Sequence, residues 1–445
     1  MDAFVSRKKR KLSSTEPATT IEDISALSSP DDESTDFKLA LLSSLHPYIE
    51  QHVLLDILLA HNGSVEAAST SLKPSDSPPR KPSAATGYQS SLSPFVAQMD
   101  SLDGPAKRAK LLSKKGKTLH LYDPADVAAH TPCTIIHNFL PPEVANALLV
   151  ELLKEAPTFE RATFKLFDNV VQSPHTACFY VESYEEMQRQ KSDYLYNGAL
   201  LTDVRQLTPQ MRRVSPIVQE AVNSEITKRV KDHYPNGQKL KHQSPHSWKP
   251  NAANVNCYDG AAESVGYHSD QLTYLGPRAI IGSISLGVAR EFRVRRIVPQ
   301  EEDKKDKSKE DSDAQGQIAI HLPHNSLLVM HAEMQEEWKH SIAPAQAIDP
   351  HPISANKRIN ITYRDYKANL HPRITPRCKC DVPAVLRVVQ RKKENWGKYF
   401  WMCHAGNVPG KEGCTFFEWA KFDDDGEPIF GKQKGKVDET ISREP

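Results

Sequence analysis

The fold is decided by one stretch above all, Arg358-Ile359-Asn360-Ile361-Thr362-Tyr363-Arg364. Its polar and apolar side chains alternate strictly, which is the pattern of a β-strand with one apolar and one polar face. Two arginines on the polar face are costly if they turn inward, unless an anion meets them. Guanidinium groups bind carboxylates in a bidentate geometry, so a dicarboxylate is a natural anion. A solvated strand face without chemistry is the alternative.

The residues around this stretch predict an α+β domain whose core is mainly β, spanning residues 119–370. Further strand-like runs are Thr134-Ile135-Ile136, Ile280 to Leu286 and Leu327-Leu328-Val329-Met330, with helical stretches near 143–155 and 211–228. Residues 300–317 are nearly all charged or polar and lie between two strand candidates, so we expect an exposed charged insertion there.

A candidate metal site lies upstream, at His268-Ser269-Asp270. Side chains two residues apart in an extended segment share a face, so the imidazole and the carboxylate can reach one metal ion. A distant histidine would complete a two-histidine, one-carboxylate triad, the signature of non-haem iron oxygenases. We choose His340 for this third ligand. An isolated His-x-Asp triplet is weak evidence, and the arginine strand strengthens it.

In this order along residues 119–368, the motifs resemble those of AlkB-type dioxygenases. They are Asn256-Cys257-Tyr258-Asp259-Gly260, His268-Ser269-Asp270, Ile284-Ser285-Leu286-Gly287, Gln335 with Trp338 and His340, and the Arg358–Arg364 run. The resemblance implies a double-stranded β-helix, or jelly roll, with iron(II) held by His268, Asp270 and His340. His331 is the rival third ligand, but His340 keeps the family's interval before both arginines.

The same resemblance implies a co-substrate, 2-oxoglutarate, held by residues on two strands, and O2 as the oxidant. These residues are Asn256, Tyr258, Arg358, Asn360, Thr362 and Arg364. Arg358 would pair with the distal carboxylate and Arg364 would approach the metal-chelating end. The implied reaction is oxidative demethylation of N-alkylated bases in DNA, chiefly 1-methyladenine and 3-methylcytosine, with decarboxylation of 2-oxoglutarate and release of formaldehyde.

For the substrate, the resemblance places a base-gripping lid near Pro174 to Tyr180, where Phe179 or Tyr180 would stack on a flipped base. Core packing of these rings is the alternative. RNA demethylation is a second function, since a 2′-hydroxyl contact cannot be read from one sequence. A non-catalytic scaffold that binds ubiquitin and nucleic acid is a third, and the intact triad and arginines argue against it.

Four cysteines near the carboxyl end, Cys378, Cys380, Cys403 and Cys414, offer enough thiolates for one tetrahedral zinc site. Residues 376–422 resemble a GRF-type zinc finger, with Lys398-Tyr399-Phe400 where that family usually has Arg-x-Phe. Nine basic residues against four acidic ones give this segment a net charge of +5. Basic charge interleaved with aromatic rings suits single-stranded nucleic acid. A purely structural zinc module is the alternative.

The remaining segments predict flexible regions and one small module. Residues 1–36 are expected to be a disordered tail, residues 423–445 a carboxyl-terminal tail, and residues 76–118 a flexible linker. Residues 37–75 show helical periodicity that resembles a CUE- or UBA-like three-helix bundle, for which ubiquitin binding and a structural role are both open. The basic run Arg7–Lys11 favours a nuclear location. We expect no membrane-spanning or secretory segment, since no apolar run is long enough.

Overall fold

The computed structural model describes residues 118–299 and 316–430, without 167–168, 194, 197–198 and 202, and parts of 38–72. Its helices are α1 (Val65–Ser71), α2 (Pro124–His130), α3 (Pro142–Glu155), α4 (Tyr184–Asp193), α5 (Pro209–His233) and α6 (Met334–Glu337). Helices α3 and α5 confirm the two helical stretches that the sequence predicted. Within the described residues no helix combines the length and apolar character needed to cross a membrane.

Two antiparallel-dominated sheets form the central domain. The seven-stranded sheet runs in the order β2-β14-β11-β16-β9-β5-β8. Its strands are β2 (Cys133–His137), β5 (Thr176–Val181), β8 (Val204–Gln206), β9 (Ala252–Asp259), β11 (Ile281–Gly287), β14 (Ser326–Met330) and β16 (Lys357–Arg364). The five-stranded sheet runs β1-β13-β12-β15-β10. Its strands are β1 (Thr118–Leu121), β10 (Val265–His268), β12 (Arg290–Arg296), β13 (Gln317–Leu322) and β15 (Trp338–Ile342). Two short hairpins, β3 (Thr163–Leu166) with β4 (Asn169–Gln172) and β6 (Leu195–Tyr196) with β7 (Ala199–Leu200), stand apart.

The two sheets face one another, as a jelly roll requires. One buried cluster joins apolar side chains of the seven-stranded sheet, such as Ile281 and Leu328, with those of the five-stranded sheet, such as Phe292 and Ile320. A second cluster lies on the other side of the seven-stranded sheet, where helices α3 and α5 cover it. The predicted mainly β core is therefore confirmed, with one apolar cluster between the sheets and another beneath the helices.

Strand β16 shows how sequence alternation sets these layers. Ile359, Ile361 and Tyr363 belong to the helix-covered cluster. The arginines and the polar residues between them therefore face the other sheet, because neighbouring side chains on a strand point to opposite faces. The inward-facing polar row predicted from the alternation is thus confirmed, and the solvated-face alternative is wrong for Arg358, which is only 1% exposed.

The carboxyl-terminal module is a three-stranded sheet of β17 (Val385–Val388), β18 (Tyr399–Met402) and β19 (Phe417–Ala420). This module packs against the central domain. Leu386, Tyr399 and Trp401 are buried in the same cluster as side chains from between the two large sheets. Burial of these large apolar groups, at about 25 cal/mol per Å², fixes the module on the central domain.

Three boundaries differ from those read off the sequence. Residues 423–430, predicted as part of a tail, pack on the central domain, where the backbone N–H of His242 donates to Asp424 O at 3.0 Å. The charged insertion also ends earlier than predicted, because Gln317 already pairs in β13. Strand β1 begins at Thr118, which the sequence assigned to the linker.

Toward the amino terminus, the structure describes only part of the predicted helical bundle. Leu42, Leu54, Leu58, Val65 and Ala68 are buried against one another, so the apolar positions of the periodic pattern do meet. The basic run near the start, residues 1–36, most of 76–118, and 431–445 lie outside the described residues, as do 300–315 of the charged insertion.

Candidate active site and zinc site

The three predicted iron ligands come together between the sheets. His268 ends β10 and lies directly opposite His340 on the antiparallel neighbour β15. Asp270 Oδ1 is 3.5 Å from His268 Nε2 and 3.4 Å from His340 Nε2. Ligand atoms of all three side chains lie within 4.8 Å of one another. The His-x-Asp spacing and the β10–β15 register therefore build one compact donor set.

His331, the rival third ligand, lies elsewhere. It is buried, with Nε2 3.1 Å from the hydroxyl of Thr134 on β2. Burial lowers its pKa well below the usual value for histidine, with Arg229 acting in the same direction. It therefore serves as a neutral core histidine, and the donor set near Asp270 contains His340 instead.

The candidate ligands Asp270 and His340 are held in the deprotonated forms that bind a metal ion. Burial alone would raise the pKa of Asp270, but Arg364 and the two histidines hold it well below its usual range. Burial lowers the pKa of His340 to about 4. Near neutral pH the site therefore presents an ionised carboxylate and a neutral imidazole, the forms that bind a metal ion.

Neighbouring groups fix the orientation of these ligands. His268 Nδ1 lies 2.8 Å from the carbonyl oxygen of Gly266, which directs Nε2 towards Asp270. The backbone N–H of Asp270 donates to Gln335 Oε1 at 2.7 Å. Arg364 Nη2 donates to Asp270 Oδ2 at 2.8 Å, which leaves Oδ1 facing the histidines. Such outer-shell bonds are typical of metal sites and fix ligand geometry before the metal arrives.

Arg358 is a buried cation with spare hydrogen-bond donors. Its Nη2 donates to Ser285 Oγ at 2.7 Å and to Asn360 Oδ1 at 2.6 Å. Among the described residues, its Nε and Nη1 have no hydrogen-bond partner. Burial lowers its pKa to about 10, so it stays charged at neutral pH. A buried guanidinium with free N–H groups fits a ligand carboxylate, as 2-oxoglutarate would supply.

A polar row leads from Arg358 towards Asp270. Asn360 lies opposite Asn256 on β9, and Arg358 opposite Tyr258, whose ring centroid is 5.2 Å from the guanidinium carbon. Asn360 Nδ2 donates to Thr362 Oγ1 at 2.7 Å. All six residues that the sequence assigned to 2-oxoglutarate therefore lie on β9 or β16, and the row ends at the Arg364–Asp270 ion pair.

Gly287 ends β11 opposite Arg358 and allows the strands to approach closely. Its φ is +84°, and a Cβ there would overlap the carbonyl oxygen of Lys357 and the Ser354 hydroxyl oxygen. Only glycine accepts both constraints. This close approach gives a physical reason for the glycine in the Ile284-to-Gly287 motif.

The two aromatic residues predicted for the substrate face opposite ways. Phe179 pairs with Asn254 of β9 and so shares the polar face of that strand. Tyr180 is fully buried in the helix-covered cluster, and its hydroxyl donates to Glu155 Oε2 at 3.2 Å. The core-packing alternative therefore describes Tyr180, and Phe179 is the ring on the side of the candidate site.

Tyr196 is a residue that the sequence reasoning missed. Its ring meets Phe179 edge to face, with centroids 5.4 Å apart. Desolvation raises the pKa of its hydroxyl, on which Arg364 and Asp270 also act. Tyr196, which is 37% exposed, is thus near enough to the Arg364–Asp270 pair for both charges to act on its hydroxyl. The following Asn197-Gly198 is a hairpin-turn dipeptide and was the available signal for an aromatic residue at a hairpin tip.

The four predicted zinc cysteines also meet, with thiol sulfurs within 4.8 Å of one another. The backbone N–H groups of Ala405 and Cys414 both donate to Cys403 Sγ at 3.4 Å. Amide donors aimed at sulfur favour the thiolate, the form that zinc binds. Four thiolates in one cluster fit a closed tetrahedral zinc site.

This module reaches the iron-ligand shell through Gln390. The side-chain amide of Gln390 donates to Ser269 Oγ at 2.9 Å and to the carbonyl oxygen of Gln335 at 2.7 Å. Ser269 lies between the candidate ligands His268 and Asp270, and the Gln335 side chain accepts a hydrogen bond from the backbone N–H of Asp270. The zinc module therefore supports the iron-ligand loop directly, which no sequence pattern indicated.

The exposed side of the module carries rings and cations. Trp419 and Trp396 are 39% and 42% exposed. Lys398 Nζ lies 5.7 Å from the Trp419 ring, and Phe417 meets that ring edge to face at 5.1 Å. Aromatic faces beside lysine provide stacking surfaces for bases and positive charge for phosphates.

Comparisons with known proteins agree with this geometry. A family model described as the 2OG-Fe(II) oxygenase superfamily matches residues 132–364, and one described as the GRF zinc finger matches residues 376–423. The curated human protein "Alpha-ketoglutarate-dependent dioxygenase alkB homolog 3" is 32% identical over 114 residues, which are 26% of this chain and 36% of that protein. "DNA oxidative demethylase ALKBH2" of Arabidopsis thaliana is 31% identical over 122 residues, 26% of this chain and 37% of that protein.

The chain thus spans little more than a third of the length of these curated relatives. A solved structure called "The structure of OsALKBH1" covers 52% of this chain and 97% of its own, at 14% identity and a TM-score of 0.34. A likeness of that size has no bearing on the chemistry of the site.

Proposed function

Because this chain belongs to the 2OG-Fe(II) oxygenase superfamily, with a family match over more than half its length, we propose that it oxidatively demethylates N-alkylated bases in DNA. The proposed lesions are 1-methyladenine and 3-methylcytosine. Each turnover would consume 2-oxoglutarate and O2 and yield succinate, carbon dioxide, formaldehyde and the unmodified base. One curated relative is named as a DNA oxidative demethylase, and that name supports the class of substrate.

The observation that carries the proposal is Arg358, a buried cation with two donor atoms that lack a partner among the described residues. A hydrolytic metal site would have no need of a buried cation of this kind. A dicarboxylate co-substrate needs one, because its distal carboxylate must be held away from the metal. The polar row between Arg358 and Asp270 supports an extended ligand with charge at both ends.

The chain's residues would divide the work as follows. His268, Asp270 and His340 would hold iron(II), which when bound supplies the chemistry that couples O2 and 2-oxoglutarate to hydroxylation of the N-methyl carbon. Arg358 would neutralise the distal carboxylate, with Asn256, Tyr258, Asn360 and Thr362 completing the polar wall. Arg364 keeps Asp270 ionised and orients it. The hydroxymethyl group would then leave as formaldehyde: the C–N bond breaks, its electron pair stays on the base nitrogen, and the hydroxyl proton is released to solvent.

Two features of the chain and one property of the lesion support an alkylated base as the substrate. Phe179 and Tyr196 form an aromatic pair, and the charges of Arg364 and Asp270 at the end of the row act on Tyr196. A methylated, cationic base pairs poorly and costs less to flip into such a site. The basic aromatic face of the zinc module would hold the strand, through Lys398 and Trp419.

The test is turnover by the purified full chain with iron(II), ascorbate and 2-oxoglutarate. Methylated single-stranded DNA, double-stranded DNA and RNA of one sequence would be compared, following formaldehyde and base identity. Release of formaldehyde with recovery of the base in DNA supports the proposal. Turnover on RNA alone would replace it with RNA demethylation. An absence of turnover on all three would overturn it and favour a binding scaffold.

The ligand assignment has its own test, which compares two buried histidines. His340→Ala is expected to abolish turnover and iron binding. His331→Ala is expected to keep both, since His331 contacts Thr134 rather than Asp270. Thermal melting of both variants shows whether each is folded. Loss of iron binding in His331→Ala alone would overturn the assignment.

We further propose a nuclear location, on the basic run Arg7–Lys11, and ubiquitin binding by residues 37–75. Replacing the five residues Arg7–Lys11 with alanine should move a fluorescently tagged chain out of the nucleus. Ubiquitin binding is tested by titrating labelled ubiquitin with the full chain and with a variant that lacks residues 37–75. Unchanged localisation or equal binding would contradict the respective proposal.

A further inference from the structure

Among the described residues, three groups of side chains are close enough to hold a metal ion, and two of them are the sites described above. The third is His120, Glu291 and His321, here called the edge cluster. These residues come from β1, β12 and β13, which lie side by side at one edge of the five-stranded sheet. Their neighbours along each strand are buried, so the cluster lies on the solvent-facing side.

The distances in the edge cluster fit a metal ion. His120 Nδ1 is 3.1 Å from His321 Nε2 and 3.6 Å from Glu291 Oε1, and the last two atoms are 3.9 Å apart. Zinc bonds of about 2.0–2.2 Å in a tetrahedral arrangement place the ligand atoms about 3.3–3.6 Å apart. Three donor atoms thus stand at nearly the separation that one ion requires.

Adjacent side chains hold two of these donors in place. Arg293 Nε and Nη2 donate to Glu291 Oε2 at 2.9 and 2.8 Å, which leaves Oε1 for the histidines. Tyr122 stacks on the His321 ring with centroids 4.2 Å apart and an interplanar angle of 11°. Burial lowers the pKa of His321, which favours its neutral form. Supports of this kind are typical around metal ligands.

We propose that the edge cluster is a third metal site, which binds Zn²⁺ or a similar divalent transition ion through two imidazoles and one carboxylate. Such ligands favour zinc, copper and nickel over magnesium or calcium. The remaining coordination positions face solvent, since His120 keeps 40% of its side chain exposed. The ion would tie β1, a four-residue edge strand that pairs in parallel with β13, to the centre of the sheet.

The test separates this site from the other two. The parent protein for this test is the full chain with zinc bound to its four cysteines and with His268→Ala and His340→Ala, which remove the iron site. Calorimetric titration of this parent with Zn²⁺ is expected to show binding of one further equivalent beyond the zinc of the four cysteines. Adding His120→Ala and His321→Ala should abolish that binding event, and Glu291→Gln should weaken it about tenfold or more. The exposed His246, outside the cluster, provides the matched His246→Ala control, which should bind zinc normally.

Thermal melting gives a second readout. Zinc should raise the melting temperature of the parent and of His246→Ala, and should not raise that of the cluster variants. Melting without zinc shows that the variants are folded. Equal titration with and without the cluster histidines would overturn the proposal. No further zinc equivalent in the parent would also overturn it and leave the cluster as a histidine pair hydrogen-bonded beside Glu291. None of these outcomes depends on turnover.

Discussion

Replacing Gln390 with alanine is expected to weaken iron binding, although Gln390 belongs to the zinc module and is not a candidate ligand. Its side-chain amide donates to Ser269 Oγ and to the carbonyl oxygen of Gln335. Gln335 in turn accepts the backbone N–H of Asp270. The substitution removes both bonds without touching the four cysteines. The ligand loop should then sample arrangements in which Asp270 and the histidines no longer converge.

The expected loss of metal affinity in Gln390→Ala follows from these two hydrogen bonds. A hydrogen bond of this kind contributes about 1 kcal/mol net, so the pair contributes about 2 kcal/mol. If all of that is lost from the metal-bound state, affinity falls roughly 30-fold, at about 1.4 kcal/mol per tenfold change. Loss of outer-shell bonds at metal sites typically costs about 10–100-fold, in the same range. We therefore expect a 10- to 30-fold loss, since Gln390 is only partly buried.

The assay is binding of Mn²⁺ in place of iron, with the free ion counted by electron paramagnetic resonance. Tyr399→Phe provides the matched control. It also removes a hydrogen bond between the module and the central domain, from the tyrosine hydroxyl to Glu336 Oε1 at 3.0 Å. It should lower the melting temperature and leave Mn²⁺ affinity unchanged. Equal affinity in Gln390→Ala and the parent, or an equal loss in both variants, would refute the reasoning.

Three further predictions concern separate parts of the molecule. Arg358→Met should raise the KM for 2-oxoglutarate by about 30-fold or more, because a buried charge pair contributes about 2–5 kcal/mol. The Mn²⁺ affinity should stay unchanged. An unchanged KM would contradict the role of Arg358. In the metal-free protein, His340 has a folded pKa of about 4 against 6.5 unfolded, so its contribution to stability is complete above pH 6.5 and is lost as pH falls towards 4. Between pH 7 and pH 5 the free energy of unfolding, measured with urea, should therefore fall by about 2 kcal/mol more in the parent than in His340→Gln. An equal fall in both proteins would contradict the lowered pKa of His340. Trp419→Ala should weaken binding of single-stranded DNA by about 1–3 kcal/mol. Lys398→Ala should reduce the slope of log affinity against log salt concentration by about 0.7. Tyr122→Ala, which removes an exposed ring on another domain, should change neither the affinity nor this slope.

The sequence determined the features that depend on local periodicity. Alternation in Arg358–Arg364 fixed which side chains share a face, since the period of a strand is two whatever it pairs with. The His268–Asp270 spacing fixed two donors on one side for the same reason. The four cysteines were recognisable because zinc demands a particular number of thiolates. These predictions needed no knowledge of the other strands.

Only the tertiary structure decided which face was the inner one and which distant residues meet. Phe179 and Tyr180 are adjacent, so the period places them on opposite faces, but pairing of β5 with β9 decides that Phe179 shares the face of Asn254. His340 rather than His331 meets Asp270 because of the β10–β15 register. Gln390 meets Ser269, 121 positions away, and His120 meets His321, 201 positions away. Such contacts arise from packing between elements, so the local spacing of residues in the sequence does not predict them.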